Sequence, residues 1–236
     1  MVETAVIIAG GEGSRLRPLT LDRPKTMVEV GGRPLLEWVI RRVKPCGVNH
    51  LVIGVAYKKE KIMEFMKAND NFGMKVDFSE HTVDGGTAQA FKLAISRFVK
   101  DDVFLAMNSD DLTNMNIQAM LDEHLANKPV VTMGLAPFRC DKSVVRYTPE
   151  MKIYNFEYGP KIPDVQISMG TYVFSKEILE HIPDTGSIEE TAFRELAKKG
   201  RMRAHLLQPG EEWTSVDATK DIPIAEYHLR KWGHIK

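Results

Sequence analysis

Val6-Ile7-Ile8-Ala9-Gly10-Gly11-Glu12-Gly13-Ser14-Arg15-Leu16 is the stretch that decides how this chain reads. A short apolar run breaks off at two glycines, as a buried parallel strand does when it enters a loop at a sheet edge. Three glycines in four positions let the backbone turn sharply and aim its N–H groups at an anion. Arg15 adds a fork of donors matched to phosphate oxygens. The segment is not a dinucleotide fingerprint, because Leu16 stands where the last glycine should fall. It is not a P-loop either, since no Gly-Lys-Ser/Thr follows. Further on, Arg23-Pro24-Lys25 sets a lysine behind a stiffening proline, placed to act as a second phosphate ligand.

Beyond this loop strands and helices alternate. Pro34 opens a helical stretch with Leu35, Leu36, Val39, Ile40 and Val43 on one face, and Gly47 closes it. Leu51-Val52-Ile53 reads as a strand, residues 58–67 as a helix, and Met74, Val76 and Phe78 alternate as a strand should. Residues 87–99 return to helix, 103–107 form an apolar strand running into Asn108-Ser109-Asp110-Asp111, and 117–125 are helical. Such a run of β-α units argues an α/β protein with a mainly parallel sheet between helices. After about Pro129 the rhythm changes. Residues 130–135, 144–156 and 171–174 read as strands, and helices return near 175–181 and 188–199. A strand-like stretch at 204–208 leads to Glu212-Trp213-Thr214-Ser215-Val216-Asp217 and a helix over about 220–231. No linker or repeat divides the chain. It reads as one domain, 1–236, with a loop-bearing half at 1–128 and a β-rich half at 129–236.

Thirty-two Lys and Arg balance thirty-two Asp and Glu, so no global positive field gathers nucleic acid or an anionic membrane. The longest early apolar run, residues 4–9, is too short to span a bilayer. Two cysteines, Cys46 and Cys140, make no disulfide framework; they read as buried thiols of a reduced, cytoplasmic protein. The seven histidines lack metal-ligand spacing and read as structural or surface residues, with His81 the least secure of them because it lies near Gly86-Thr87. The twelve methionines read as core fillers, and Arg41-Arg42 and Lys58-Lys59 as solvated helix faces.

The run from Gly10 to Thr20 with Pro24-Lys25 closely resembles the signature of the sugar-1-phosphate nucleotidyltransferases, the nucleoside-diphosphate-sugar pyrophosphorylases. Three further segments continue the resemblance in order: Gly86-Thr87-Ala88, Asn108-Ser109-Asp110, and Trp213 with Val216-Asp217-Ala218-Thr219 and Asp221. The resemblance implies a Rossmann-like three-layer sandwich, with a mainly parallel mixed sheet flanked by helices and a second half that binds the acceptor. It implies transfer of a nucleotidyl group from a nucleoside triphosphate to a phosphorylated sugar, with Mg²⁺ as cofactor. Arg15 and Lys25 would be catalytic. Ala9, Gly10, Gly11, Gly13, Ser14, Gly86 and Thr87 would bind nucleotide, and Asp110 and Asp217 would hold the metal. Asp111 competes with Asp110 for that role, and the family's spacing favours Asp110. The resemblance leans toward GTP with mannose 1-phosphate or a related sugar, and it leaves room for a homo-oligomer.

The acceptor half departs from the family. Where the family carries Phe-x-Glu-Lys-Pro, this chain has Phe156-Glu157-Tyr158-Gly159-Pro160, and Ser168-Met169-Gly170-Thr171-Tyr172 stands for Asn-x-Gly-Ile-Tyr. The acceptor-binding candidates are therefore Glu157, Lys161 and Gly170, with Lys161 on a segment that Pro160 and Pro163 hold extended. Two other readings stay open. One is a catalytically weak regulatory subunit that binds a nucleotide sugar. The other is a cytidylyltransferase for a non-sugar phosphate, its cation cradled by Phe156, Tyr158 and Tyr172.

Overall fold

The apolar run after Glu3 becomes the middle of a sheet. In the computed structural model, which describes residues 2–140 and 142–236, the chain begins with β1 (Thr4–Ile8), followed by a small hairpin of β2 (Glu29–Val30) and β3 (Arg33–Pro34). Then come α1 (Leu35–Val43), β4 (His50–Val55), α2 (Lys59–Ala68), β5 (Lys75–Glu80), α3 (Gly86–Phe98), β6 (Val103–Asn108), β7 (Asp111–Thr113) and α4 (Ile117–Asn127). The second half holds β8 (Val131–Arg139), β9 (Ser143–Tyr147), β10 (Ile153–Tyr158), β11 (Lys161–Ser175), α5 (Arg194–Lys198), β12 (Met202–Leu206), β13 (Trp213–Ser215) and α6 (Ile222–Lys231).

Seven strands form one sheet in the order β12-β8-β11-β6-β1-β4-β5. The β6-β1-β4-β5 block and the β12-β8 pair are parallel, while β11 runs antiparallel to both of its neighbours. Side-chain alternation along each strand divides the core in two. Ile7, Ile53 and Leu105 point to the face covered by α1, α2 and α4, through Val39, Ile40, Ile62, Met66, Met120 and Leu121. Val6, Val52 and Phe104 point to the other face, under Phe91, Ala94 and Ile95 of α3 and Leu196 of α5. These are the three layers the β-α rhythm predicts. A third cluster ties α6 to the glycine loop: Leu16 is fully buried with Val28, Val30, Trp38, Val216, Ala225 and Leu229. Leu16 therefore anchors the loop from below, at the position where a dinucleotide fingerprint would carry glycine.

The structure corrects several readings. Residues 144–156 are not one strand but the hairpin β9–β10, paired only with itself. The helix read near 175–181 is a 3₁₀ turn, Lys176–Glu180, and a π turn, Glu189–Phe193, precedes α5. Cys46 and Cys140 are half-buried rather than buried. Met151 is 75% exposed, so it fills no core. Arg42 is not solvated: its Nη2 donates to the Met115 carbonyl, and burial lowers its pKa. No helix among the described residues is long and apolar enough to cross a membrane.

His124 is a structural histidine whose tautomer can be read from its partners. Ser175 Oγ donates to the Pro129 carbonyl at 2.8 Å, so it accepts from His124 Nε2 at 3.0 Å, and Nδ1 accepts from Thr132 Oγ1 at 2.9 Å. A second ring proton would turn the buried Thr132 hydroxyl against its donor. Burial lowers the pKa from 6.5 to about 4. Between those values the unfolded chain binds a proton that the folded chain does not, so stability falls as pH drops through that window. Urea denaturation at neutral and at mildly acid pH should show a loss of ~1–3 kcal/mol from this site. The loss should be absent in His124→Gln.

Candidate active site

The site forms at the carboxyl ends of the parallel strands, where open α/β sheets offer their loops to ligands. The glycine loop leaves β1 there. Gly13 adopts φ 65° and caps the turn Ser14–Leu16, and its carbonyl accepts from Thr20 Oγ1 at 2.8 Å. A Cβ on Gly10 would overlap the His81 ring at the end of β5. Ala9 continues the strand as a buried residue, and its N–H donates to the Gly54 carbonyl at 2.8 Å. Pro24 caps the turn Lys25–Met27, and the Lys25 N–H donates to the Gly11 carbonyl at 3.1 Å. The loop and the lysine are thus one backbone unit.

Strand pairing brings the two aspartates together. β7 and β13 pair antiparallel with Asp111 opposite Ser215, and the Val216 N–H donates to the Asp110 carbonyl at 3.0 Å. Asp110 and Asp217 become near neighbours at the end of that ladder. Lys25 Nζ lies between them, donating to Asp110 Oδ2 and, at 2.7 Å, to Asp217 Oδ1. Arg15 Nη2 reaches the same Asp217 oxygen at 3.0 Å, and Ser215 Oγ donates to the other at 3.3 Å. Asp221 secures the turn by accepting from the N–H groups of Asp217 and Ala218 at 3.0 and 2.7 Å. Burial works against the charge on Lys25, whose side chain is 14% exposed, but the two carboxylates outweigh it and raise its pKa. Burial likewise opposes the charge on Asp217, and Lys25 with Arg15 outweighs it, so its pKa is lowered.

Asp111 plays a different part from Asp110. It is buried, and it accepts from Trp213 Nε1 at 2.9 Å and Asn108 Nδ2 at 3.2 Å. Burial, then repulsion from Asp110, pushes its carboxyl well above the usual range. It braces β7 against β13 rather than facing the cleft. Gly170 makes room for it: φ is 63°, and a Cβ there would overlap the Asp111 carboxylate.

Gly86 opens α3 at φ 70°, ψ −175°, a conformation glycine alone adopts freely, and a Cβ would overlap the Gly186 carbonyl. Here the structure adds a residue that the sequence reading missed. Thr87 Oγ1 donates to Glu189 Oε2 at 2.8 Å, and Ser187 Oγ donates to the same oxygen at 2.6 Å. The Ile188 N–H returns a bond to Thr87 Oγ1 at 3.0 Å. The clamp over Gly86-Thr87 therefore comes from 186–189, and its one sequence signal is Ser187-x-x-Glu190, a helix-start pattern realised as Glu190 N–H to Ser187 Oγ at 3.1 Å.

The remaining candidates separate. Ser14 is exposed at the loop tip. Glu157 and Lys161 are exposed, Glu157 on β10 and Lys161 opposite Arg139 at the start of β11, and neither contacts the Lys25 cluster. The aromatic cradle does not form. Tyr172 is buried, its ring 5.4 Å from Phe174, whereas Phe156 and Tyr158 are 68% and 80% exposed. The cytidylyl reading loses its support.

Two glycines probe this geometry. Gly11→Ala meets nothing within 4 Å, so it should leave the melting temperature unchanged while weakening nucleotide binding. Gly170→Ala must overlap Asp111 from a left-handed backbone, and should cost about 2 kcal/mol or more in denaturant titrations.

Comparison with known proteins agrees with the geometry. The Nucleotidyl transferase family model matches residues 4–230. A mannose-1-phosphate guanylyltransferase of Mycobacterium tuberculosis is 27% identical over 229 residues, covering 92% of this chain and 62% of that protein. The bifunctional protein GlmU of Methanocaldococcus jannaschii is 35% identical over 193 residues, covering 81% of this chain and 44% of that protein. The chain thus spans less than two thirds of the length of these relatives. The crystal structure of HddC from Yersinia pseudotuberculosis shares the fold, with a TM-score of 0.74 at 22% identity over 97% of this chain and 100% of that one. With its sheet-edge glycine loop and paired aspartates inside the matched segment, the chain belongs to the nucleotidyl transferase family.

Proposed function

We propose that this protein transfers a nucleotidyl group from a nucleoside triphosphate to a sugar 1-phosphate. The observation that carries the reading is the Lys25 ammonium held between Asp110 and Asp217, with Arg15 beside it and the glycine loop bonded to Lys25. An oxygen of the sugar phosphate attacks the α-phosphorus, the bond to the β-phosphate oxygen breaks, and pyrophosphate leaves. This chemistry needs placement and charge compensation more than covalent participation. The N–H groups of Gly11 and Gly13 and the Arg15 guanidinium orient the triphosphate. Lys25 donates to the α-phosphate as charge builds on it, and Gly86-Thr87 holds the nucleoside.

The aspartates fit Mg²⁺. Both are hard oxygen donors meeting at one cationic point, and among the described residues no group of three His, Cys, Asp or Glu side chains forms a complete protein cage. Two carboxylates, with the rest of the shell supplied by phosphate and water, is the usual protein share for this ion. Asp110 and Asp217 would hold it, and it would supply Lewis-acid neutralisation of the phosphates.

The relatives named for mannose 1-phosphate point to GTP and that sugar as the first pair to try. A matrix of four nucleoside triphosphates against several sugar phosphates, read by pyrophosphate release, should give one dominant pair. Nucleotide binding without turnover for any acceptor would instead establish the regulatory reading. Asp110→Asn and Asp217→Asn should each lower kcat/KM at least ~100-fold, with EDTA abolishing turnover and Mg²⁺ restoring it. On the acceptor arm, Lys161→Ala should raise the acceptor KM about 10-fold with nucleotide affinity unchanged, the size of a lost charge-assisted phosphate contact.

A further inference from the structure

β9 and β10 form a sheet of two strands with no third, an arrangement that is marginal by itself in water. Their register sets Val145 opposite Phe156, Ser143 opposite Tyr158 and Tyr147 opposite Ile153. Residues opposite one another share a face. One face therefore carries Val145, Tyr147, Ile153, Phe156 and Tyr158. The other carries Val144, Arg146, Asn155 and Glu157.

Both faces of the ribbon meet solvent, and the apolar one does so over its whole length. Its five hydrophobic residues are 40% to 80% exposed, while on the polar face Arg146 and Glu157 are exposed and Val144 and Asn155 half-buried. A half-solvated antiparallel pair usually covers its apolar face, and here that face is uncovered. With large aromatic side chains exposing most of their surface, the five residues present ~600 Å². Met151 and Tyr154, 75% and 67% exposed at the turn end, extend the patch toward the ~800 Å² that each partner gives to a stable interface. Solitary soluble domains rarely leave a contiguous apolar patch of this size uncovered.

We propose that this face is the interface of a homodimer, packed about a two-fold axis on the same face of a second copy. The area matches what such a dimer needs. The face carries no charge, and the formal net charge of the chain is zero, so two copies approach without electrostatic repulsion. A patch that meets itself closes after one contact and leaves no surface to propagate. Contact through this face leaves Glu157 on the opposite side of the ribbon, clear of the partner, and gives the arm that continues into β11 the support its own two strands lack.

Sedimentation velocity on the full chain at micromolar concentration tests the assignment. The expected species has twice the mass of the 26.7 kDa chain. Phe156→Glu combined with Tyr158→Glu should raise the dimer Kd at least ~100-fold, as loss of two aromatic anchors does. The far-UV circular dichroism should be unchanged, since both side chains are exposed. Arg146→Ser, on the opposite face, should leave the dimer intact. A monomeric wild-type chain overturns the proposal and assigns the face to some other partner. A dimer indifferent to the paired glutamates, or one lost equally in Arg146→Ser, overturns it too.

Discussion

One ammonium group holds the edge of the sheet together. Asp110 and Asp217 come from strands far apart in the chain, and two carboxylates brought side by side repel unless a cation lies between them. Lys25 is that cation, bonded to both. Its place is set by backbone: Pro24 caps its turn, and its N–H is tied to the Gly11 carbonyl. The glycine loop and the backbone of the lysine that neutralises the carboxylates are therefore tied together. A displacement of one misplaces the other, which makes the site a single electrostatic unit.

The support beneath that unit is the β7–β13 pair. Asp111 spends its hydrogen-bonding capacity on Trp213 and Asn108, and so fixes the ladder that sets Asp110 beside Asp217. A buried carboxyl is costly unless its oxygens are bonded, and here both are. Gly170 is part of the same arrangement, since any side chain there would displace Asp111. Thus β11, which enters the sheet antiparallel between β6 and β8, brings the second half of the chain against the first at a glycine.

Much of this was legible in the sequence because it depends on local chemistry. The apolar strand breaking at Gly10-Gly11, the proline before Lys25, the period-2 alternation of Met74, Val76 and Phe78, and the polar ends of β6 and β13 each follow from near neighbours. What was not legible depends on distant ones. Arg42 reads as a solvated helix charge, and only the tertiary position of Met115 shows its guanidinium turned inward. Asp110 and Asp111 are indistinguishable by residue type; the pairing with β13 decides which is buried. Residues 144–156 are uniformly strand-like, and the break into a hairpin falls at Met151, with φ 65°, a backbone that no pattern of hydrophobicity announces. Glu189 stood outside every motif because its role comes from a segment folding over Gly86.

Charge sets what the cluster can offer a phosphate ligand. Asp110 and Asp217 carry two negative charges, and Lys25 and Arg15 carry two positive ones, so the cluster is neutral as it stands. A triphosphate brings several more negative charges, and a neutral cluster offers it no net attraction. Under the proposed reading, Asp110 and Asp217 would hold a divalent ion that would supply the missing positive charge. With Asp110 and Asp217 holding such an ion, the Lys25 ammonium would be available to the phosphates. The lysine's bond to Gly11 is through the backbone, so the side chain can make this exchange while the loop stays in place. The same residue thus balances the two aspartates and, under that reading, would supply positive charge to the phosphates, at the one point where two strand ends bring those aspartates together.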